Sequence, residues 1–501
     1  MIKAYSVAHI RDAEAPLLAA GEPLMQHAAA ALATACIRLL RCRGGVYGAR
    51  VLVLVGGGNN GGDALFAAAR LARRGCTVRV ICCAEGMHAA GWRAAKCVGA
   101  REVAAAEAEL EAARADLIID GILGIGARGG IREPAAGIVM AVGRGISGAR
   151  AAVVAVDVPS GVDVDTGGVE GPALPANLTV TMGANKPALL LEPARRLAGH
   201  VMVVPLGYEL PAPDLRAVEA SDAAALLCAP GPDDSKYTRG VVGVRAGTEQ
   251  YPGAGLMATA AALAAGPGMV RYLGADAVAE LIIRAHPEVV RANGRVQAHV
   301  VGPGGAAGET DVREVLASGL PAVIDAEAIL VAASIGGLAE HHVLTPHAGE
   351  AVALAAHLGL SREGAPWSRA LIEAHQLEAA RALAAATGAT VMLKGAVDVV
   401  AAPTGDAYAQ GGAPGWRGTA GAGDVLAGLT GGLLAHAAAL AMEPGGAARV
   451  AATAAYIHGV AAAIAADTLF NDPANRAGHP IGATDIAASI PAAIEAIRKA
   501  A

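Results

Sequence analysis

Aromatic rings are scarce in this sequence. They make up 3% of 501 residues, and only 2 of them are Phe. A core without rings must be filled by Ala, Val, Leu and Ile, which suits parallel strands covered by helices. Positive charge is also in deficit. The net charge of -6 disfavours a nucleic-acid partner, which would leave a basic face. The 7 Cys are odd in number and include no C-x-x-C, so no disulfide framework or thiol metal site is expected. A reduced, cytoplasmic protein is the simple reading. The first residues, Met1 to Tyr5, lack a signal-peptide core, and Asp12 and Glu14 place charge soon after them. No stretch is expected to cross a membrane: the uncharged run Val425 to Met442 contains Thr430 and His436 and reads as a buried helix.

What remains is abundant in apolar residues, at 54%, over a length that calls for about two or three domains. Apolar runs alternate with amphipathic segments. Strands are expected at 50–55, 77–83, 117–119, 152–156, 178–182 and 200–204, with a long helix over 23–40. The Pro-rich stretch 205–234 places a boundary near 215–230. A second α/β rhythm comes after it, with strands at 240–246, 269–273, 298–301, 322–324, 343–344, 390–393 and 398–401 and helices at 425–439 and 449–466. The fold class is therefore α/β, a doubly wound parallel sheet followed by a second α/β domain.

Ligands of such sheets bind beyond the carboxyl ends of strands. Four segments of the first half lie there. Gly56-Gly57-Gly58-Asn59-Asn60-Gly61-Gly62-Asp63 reads as a loop before a helix at 64–72. Its glycines admit an anion to backbone N–H groups, and Gly56, Gly58 and Gly61 match the generic G-x-G-x-x-G. The others are Asp120 to Gly130, with a second glycine loop, then Asp157-Val158-Pro159-Ser160-Gly161-Val162-Asp163-Val164-Asp165-Thr166-Gly167, then Asn185-Lys186-Pro187. Singly, each has a plain reading: Asp120 and Asp157 as turn caps, Ser160-Gly161 as turn chemistry, Lys186 as a surface charge.

Together, the four resemble the NAD(P)H-hydrate epimerase domain, over residues 1–215, which implies a Rossmann-like sheet. By that resemblance Asn60, Asp120 and Ser160 are ligands of K⁺, an oxygen set suited to a hard cation. Asn59, Asn60, Gly61, Gly62, Asp63, Gly124, Ile125, Gly126, Ala127, Arg128, Gly129, Gly130 and Asp157 form the substrate site. Asp157 and Lys186 are the expected proton-transfer pair.

In the second half, Gly418-Thr419-Ala420-Gly421-Ala422-Gly423-Asp424 opens a long uncharged helix. A glycine turn at a helix start is an anion hole, and an acid directly after it is placed to take a proton from an attacking hydroxyl. This resembles the ribokinase-like superfamily. Thr345-Pro346-His347-Ala348-Gly349-Glu350, Gly302-Pro303-Gly304-Gly305, Asp325-Ala326, Leu393-Lys394-Gly395 and Tyr251-Pro252-Gly253-Ala254 narrow the resemblance to the ADP- or ATP-dependent NAD(P)H-hydrate dehydratase, over 225–501. It implies Asp424 as base, with Ala254, Gly302, Gly304, His347 and Asp424 touching substrate. Lys394, Gly395, Ala396, Val397, Asp398, Gly421, Ala422 and Gly423 would touch a nucleotide carrying Mg²⁺.

Three positions depart from that family's pattern: Ser235 before Lys236, Pro267 between two glycines, and Asp398 where Thr is common. A carboxylate at 398 facing phosphate would repel it by roughly a few kcal/mol, so Asp398→Thr is expected to tighten nucleotide binding.

The resemblance implies a homo-oligomeric repair enzyme acting on NADHX and NADPHX. The alternatives are a ribokinase-class small-molecule kinase, a nucleotide-sensing N-terminal module without catalysis, and a dehydrogenase using the G-x-G-x-x-G spacing with Glu85 after the second strand.

Overall fold

The structure is a computed structural model and describes residues 1–126, 128–148, 150–227, 229–305, 308–468 and 477–501. It divides into two compact units, Lys3–Asp214 and Leu215–Ala501, the latter also holding Met1–Ile2. Strand Leu215–Ala217 and helix Ala220–Leu226 thus belong to the later unit. The Met1 ammonium pairs there with Glu219 at 3.1 Å and Asp222 at 2.7 Å.

The first unit is a seven-stranded parallel sheet in the order Arg101–Glu102, Thr77–Cys82, Arg50–Val55, Leu117–Gly121, Ala152–Val156, Leu178–Met182, His200–Val204. Alternation sorts its side chains into two layers. On Arg50–Val55, Val51, Val53 and Val55 face one core with helices Leu24–Arg41 and Asn59–Arg73. Leu52 and Leu54 face another with helices Ala108–Arg114 and Ala135–Ile146. Strand order reverses direction between Arg50–Val55 and Leu117–Gly121, which opens a crevice beyond their carboxyl ends.

In the second unit, parallel strands run His342–Leu344, Ala322–Ile324, Ala298–Val301, Val241–Arg245, Met269–Tyr272. Thr390–Leu393 joins His342–Leu344 in parallel, then pairs antiparallel with Asp398–Ala401, which pairs antiparallel with Ala407–Gln410. That last strand has no counterpart among the expected ones. Its Ala-rich sequence lacks a β-branched signature, and pairing across the turn at Gly405 (φ 103°) holds it in place.

With few rings available, helices approach closely instead. Helix Ala422–His436 lies on Pro252–Ala264, and a Cβ at Gly428 would overlap the Ala258 carbonyl, while one at Gly431 would overlap Val300. The 425–442 run is two elements, Ala422–His436 and Ala438–Ala441. One helix, Gly446–Ala465, is long and apolar enough to cross a membrane, and 72% of its apolar stretch is buried against the rest of the unit.

Candidate active sites at the strand ends

A cavity of about 430 Å³ opens at the reversal point of the first sheet. Strand Arg50–Val55 delivers its floor. Gly56 is required there because a Cβ would strike the Ile122 carbonyl. The helix begins at once: Gly58 caps it in extended backbone, and Asn59–Arg73 is helical. Residues 59–63 are therefore the first turn of a helix, not the loop that the glycines suggest. Asn59, Asn60 and Asp63 line the cavity, as do Gly124, Ile125 and Gly126.

Gly61 and Gly62 do not line it. Gly61 packs on the Gly56 carbonyl and Val55, and Gly62 on Met25 and His88, so their missing side chains serve packing. Arg128, Gly129 and Gly130 also lie off the cavity, Gly130 against the Glu170 backbone, and Ala127 falls outside the described residues.

Asp157 and Lys186 meet beneath this cavity. Asp157 follows strand Ala152–Val156 with φ 70°, a left-handed backbone that costs about 1–3 kcal/mol in a non-glycine residue. The Lys186 ammonium donates to Asp157 Oδ1, to Thr181 Oγ1 at 2.8 Å and to the Met182 carbonyl at 2.8 Å. Asp157 Oδ1 also accepts from the Met182 N–H at 3.1 Å. Lys186 is 1% exposed and Asp157 6%, so the pair is withdrawn from water except through the cavity.

Two further carboxyls face the same space: Asp63, which the sequence places in the substrate site, and Glu14, which no sequence pattern marks. Burial, then the charges of Asp157 and Glu14, push the Asp63 carboxyl up to about 8. Its Oδ1 is buried without a partner. Glu14, on helix Val7–Ala19, is raised by burial and by Asp157. A carboxyl with a raised folded pKa binds protons that the unfolded chain has released, so stability falls as pH rises from about 4 through 8. Asp63→Asn is expected to raise unfolding stability at pH 8 by a few kcal/mol, and to leave it unchanged near pH 4. Urea titrations at the two pH values measure this, and equal effects at both would disprove the assignment.

Asp120 and Ser160 are fully buried together. Ser160 Oγ donates to Asp120 Oδ1 at 2.6 Å, and its N–H to Oδ2 at 2.8 Å. Burial raises Asp120, although these bonds pull the other way. No lysine or arginine pairs with it among the described residues. Asn60 Oδ1 lies against Gly124, where a Cβ would approach to 2.5 Å, and its Nδ2 is buried without a partner.

In the second unit, Asp325 ends strand Ala322–Ile324 and receives Thr345 Oγ1 at 2.6 Å and Lys394 Nζ at 2.7 Å. Burial acts to lower the Lys394 pKa, but Asp325, Glu350 and Asp424 outweigh it and the group is raised. Asp424 stands in the first turn of Ala422–His436, after Gly421 in left-handed backbone (φ 87°). Burial, then Asp325, push Asp424 up to about 6, with Lys394 opposing. The Lys394 ammonium lies beside Gly423, where a Cβ would stand 3.4 Å away.

A cavity of about 680 Å³ adjoins this cluster, lined by Tyr251, Gly304, Ala326, Glu327, His347 and Glu350 among others. His347 lines it but is also a helix cap. Its Nδ1 accepts from the Glu350 N–H at 3.1 Å, and its Nε2 lies 3.6 Å from a Glu350 carboxylate oxygen. Ala254 and Gly302 are packing positions instead. Ala254 supports Gly304, and Gly302 (φ 110°) sits under the Asp325 carbonyl.

Asp398 departs from expectation. It is 2% exposed and pairs with Arg417, whose Nη2 also reaches the Gly395 carbonyl at 2.5 Å; Asp398 Oδ1 accepts the Gly395 N–H at 3.1 Å. The carboxylate is neutralised inside the protein and presents no bare charge to a phosphate.

Comparison with known proteins fits both units. A family described as the YjeF-related protein N-terminus matches residues 21–188, and one described as NAD(P)H-hydrate dehydratase matches 242–478. A bifunctional NAD(P)H-hydrate repair enzyme of Mycobacterium tuberculosis is 45% identical over 448 residues, covering 86% of this chain and 89% of that protein. The chain belongs to the bifunctional NAD(P)H-hydrate repair enzyme family. A further member, from Mycobacterium leprae, is 43% identical over the same span. An NAD(P)H-hydrate epimerase of Clavibacter sepedonicus is 49% identical over 41% of this chain and 91% of its own length. Among solved structures, an ADP/ATP-dependent NAD(P)H-hydrate dehydratase from Bacillus subtilis, co-crystallised with ATP/Mg²⁺, aligns over 56% of this chain and 98% of its own with 24% identity and a TM-score of 0.45. Family membership places an epimerase site in the first unit of such proteins and a dehydratase site in the second.

Proposed function

We propose that the chain repairs hydrated NADH and NADPH in two steps, with residues 1–215 as epimerase and 225–501 as dehydratase. The observation that carries this reading is that one chain holds two separate acid–base centres at strand ends, one in each matched family region.

Epimerisation at C6 requires the carbon–oxygen bond to break and re-form on the other face. A proton must reach the departing hydroxyl, which leaves as water, while the ring nitrogen lone pair takes up the positive charge at C6. Water then returns on the opposite face and surrenders a proton. Asp157 and Lys186 are the proton-transfer pair, their charges fixed by mutual contact and by Thr181 and Met182. Asn59, Asn60 and the 124–126 turn hold the nucleotide part.

The buried carboxylate of Asp120, with the Ser160 hydroxyl and the Asn60 amide oxygen, is an oxygen set that suits a monovalent cation such as K⁺. When bound, K⁺ would offset the desolvated negative charge that raises Asp120.

In the second unit, Asp424 takes the proton of the substrate's ring hydroxyl as that oxygen attacks the terminal phosphorus of ADP or ATP, and the shortened nucleotide leaves. The N–H groups of Gly421–Gly423 face the transferring phosphoryl group. Loss of the phosphate from C6, with a proton from C5, restores reduced nicotinamide. Lys394, tethered by Asp325, neutralises phosphate charge. Mg²⁺ would arrive on the nucleotide's phosphates, with few protein ligands. The chain acts in the cytoplasm as a homo-oligomer, without nucleic acid or membrane.

The test supplies mixed epimers of NADHX with ADP or ATP and Mg²⁺ and follows the absorbance of NADH. Complete conversion of both epimers is expected; no NADH from either would overturn the function. Because Asp424 must be ionised to act, the dehydration rate should fall about tenfold per pH unit below about 6. A rate flat down to about pH 4.5 would remove Asp424 as the base.

A further inference from the structure

A second cavity in the first unit, of about 520 Å³, lies at the opposite end of the same sheet. Its walls are Arg50, Val51, Leu52, Thr77, Arg79, Glu111, Arg114 and Ala115, so three arginines and one glutamate line one hollow. Arg50 and Thr77 are the first residues of their strands and stand opposite each other, as do Leu52 and Arg79 one step on. Residues two apart on a strand share a face. Arg50, Leu52, Thr77 and Arg79 therefore project to one side, where Leu52 and Ile81 pack against helix Ala108–Arg114.

Arg79 breaks the pattern of that face. Its neighbours along and across the sheet, Ile81 and Leu52, are core residues, and its cross-strand partner on the other side is Arg101. Like charges directly opposite on a sheet are destabilising. Protein carboxylates do not relieve them. Among the described residues, Arg50, Arg79, Arg101, Arg114 and Glu111 form no ion pair or side-chain hydrogen bond. Asp116, two residues after Arg114, spends its carboxylate on the Arg50 backbone N–H at 2.8 Å. Arg114 has an ordinary role in the last turn of its helix, where a cation suits the dipole, but Arg79 has none.

Unpaired arginines gathered in a concave site focus a positive field, and planar guanidinium forks match phosphoryl oxygens in pairs. We infer that this hollow binds a small polyphosphate anion, the diphosphate or triphosphate group of a free nucleotide, at the end of the sheet away from the epimerase cavity. Arg79 supplies the inward fork, Arg50 and Arg114 close over the outer oxygens, and Glu111 keeps the site from accepting anions of lower charge. Strand Arg50–Val55 connects it to the epimerase cavity, with Arg50 at one end and Gly56 after the other.

The experiment titrates the full-length protein calorimetrically with inorganic pyrophosphate, without Mg²⁺, and compares Arg50→Gln/Arg79→Gln/Arg114→Gln. Wild type is expected to show one pyrophosphate site more than the variant, and citrate should bind that site at least tenfold more weakly. Arg79→Lys keeps the charge but loses the fork, and should weaken the site about tenfold while the thermal unfolding temperature and epimerase rate are retained. Identical stoichiometry and affinity in wild type and the triple variant, or equal affinity for citrate, would overturn the proposal. Loss of epimerase activity in Arg79→Lys would also count against it, since the site would then not be separate.

Discussion

Asp157→Asn should slow interconversion of the two NADHX epimers by about 10³-fold while leaving dehydration of the S epimer intact. The argument starts from burial. Lys186 spends its ammonium protons on Asp157, Thr181 and the Met182 carbonyl, and neither partner has bulk water to lean on. An amide at 157 keeps the shape but cannot accept a proton. Lys186→Met should be as inactive and also less stable, by about 3–5 kcal/mol, because it strands a buried carboxylate. The double variant should recover much of that stability, since both charges are gone. Chiral chromatography of the epimers gives the rate and urea unfolding gives the stability. An Asp157→Asn enzyme that epimerises within tenfold of wild type would remove the pair from the reaction. Dehydration in the same samples reports that the chain has folded.

Asp398→Thr should weaken nucleotide binding, the reverse of what the sequence pattern alone suggests. Arg417 is nearly enclosed, and Asp398 is its counter-charge as well as the acceptor of the Gly395 N–H. Threonine neutralises neither the guanidinium nor its desolvation. The expected cost is about 3 kcal/mol to the second unit, read by denaturant unfolding. The 394–398 turn would also lose the two bonds that shape it, with at least a tenfold fall in ATP affinity by calorimetry. Tighter ATP binding in the variant would restore the repulsion argument. Asp398→Thr with Arg417→Met should regain stability without regaining affinity.

These two cases mark what can be read from the sequence. Strands Arg50–Val55, Ala152–Val156 and Leu178–Met182 are legible because buried parallel strands are short continuous apolar runs, and motif spacing then puts Asp157 and Lys186 beyond their ends. Side-chain partnership is not legible. Asp398 meets Arg417 across 19 positions and Lys394 meets Asp325 across 69, distances along the chain that no local pattern encodes. Glu14 comes from a helix that carries Pro16 in its interior and so gives a weak helical signal. Glycines mislead in a particular way. Gly61 and Gly62 mark a close approach, and a sequence cannot say whether the approaching group is a phosphate or the protein's own backbone.

Asp157 (φ 70°) and Ala326 (φ 53°), the latter directly after Asp325, hold the same left-handed backbone at a strand end in their respective units. Such a residue is cheaper as glycine, which adopts that conformation without penalty. At 326 that exchange is open to any search for hardier versions of this chain, but at 157 it would strand the buried Lys186 ammonium, a loss of about 3–5 kcal/mol that exceeds the relief of about 1–3 kcal/mol. The exchange at 326 leaves the Asp325 side chain in place, whereas at 157 it would also remove an acid that the proposed reaction uses. Durability and repair both hold the strained residue in place at one of these strand ends and leave it free to change at the other.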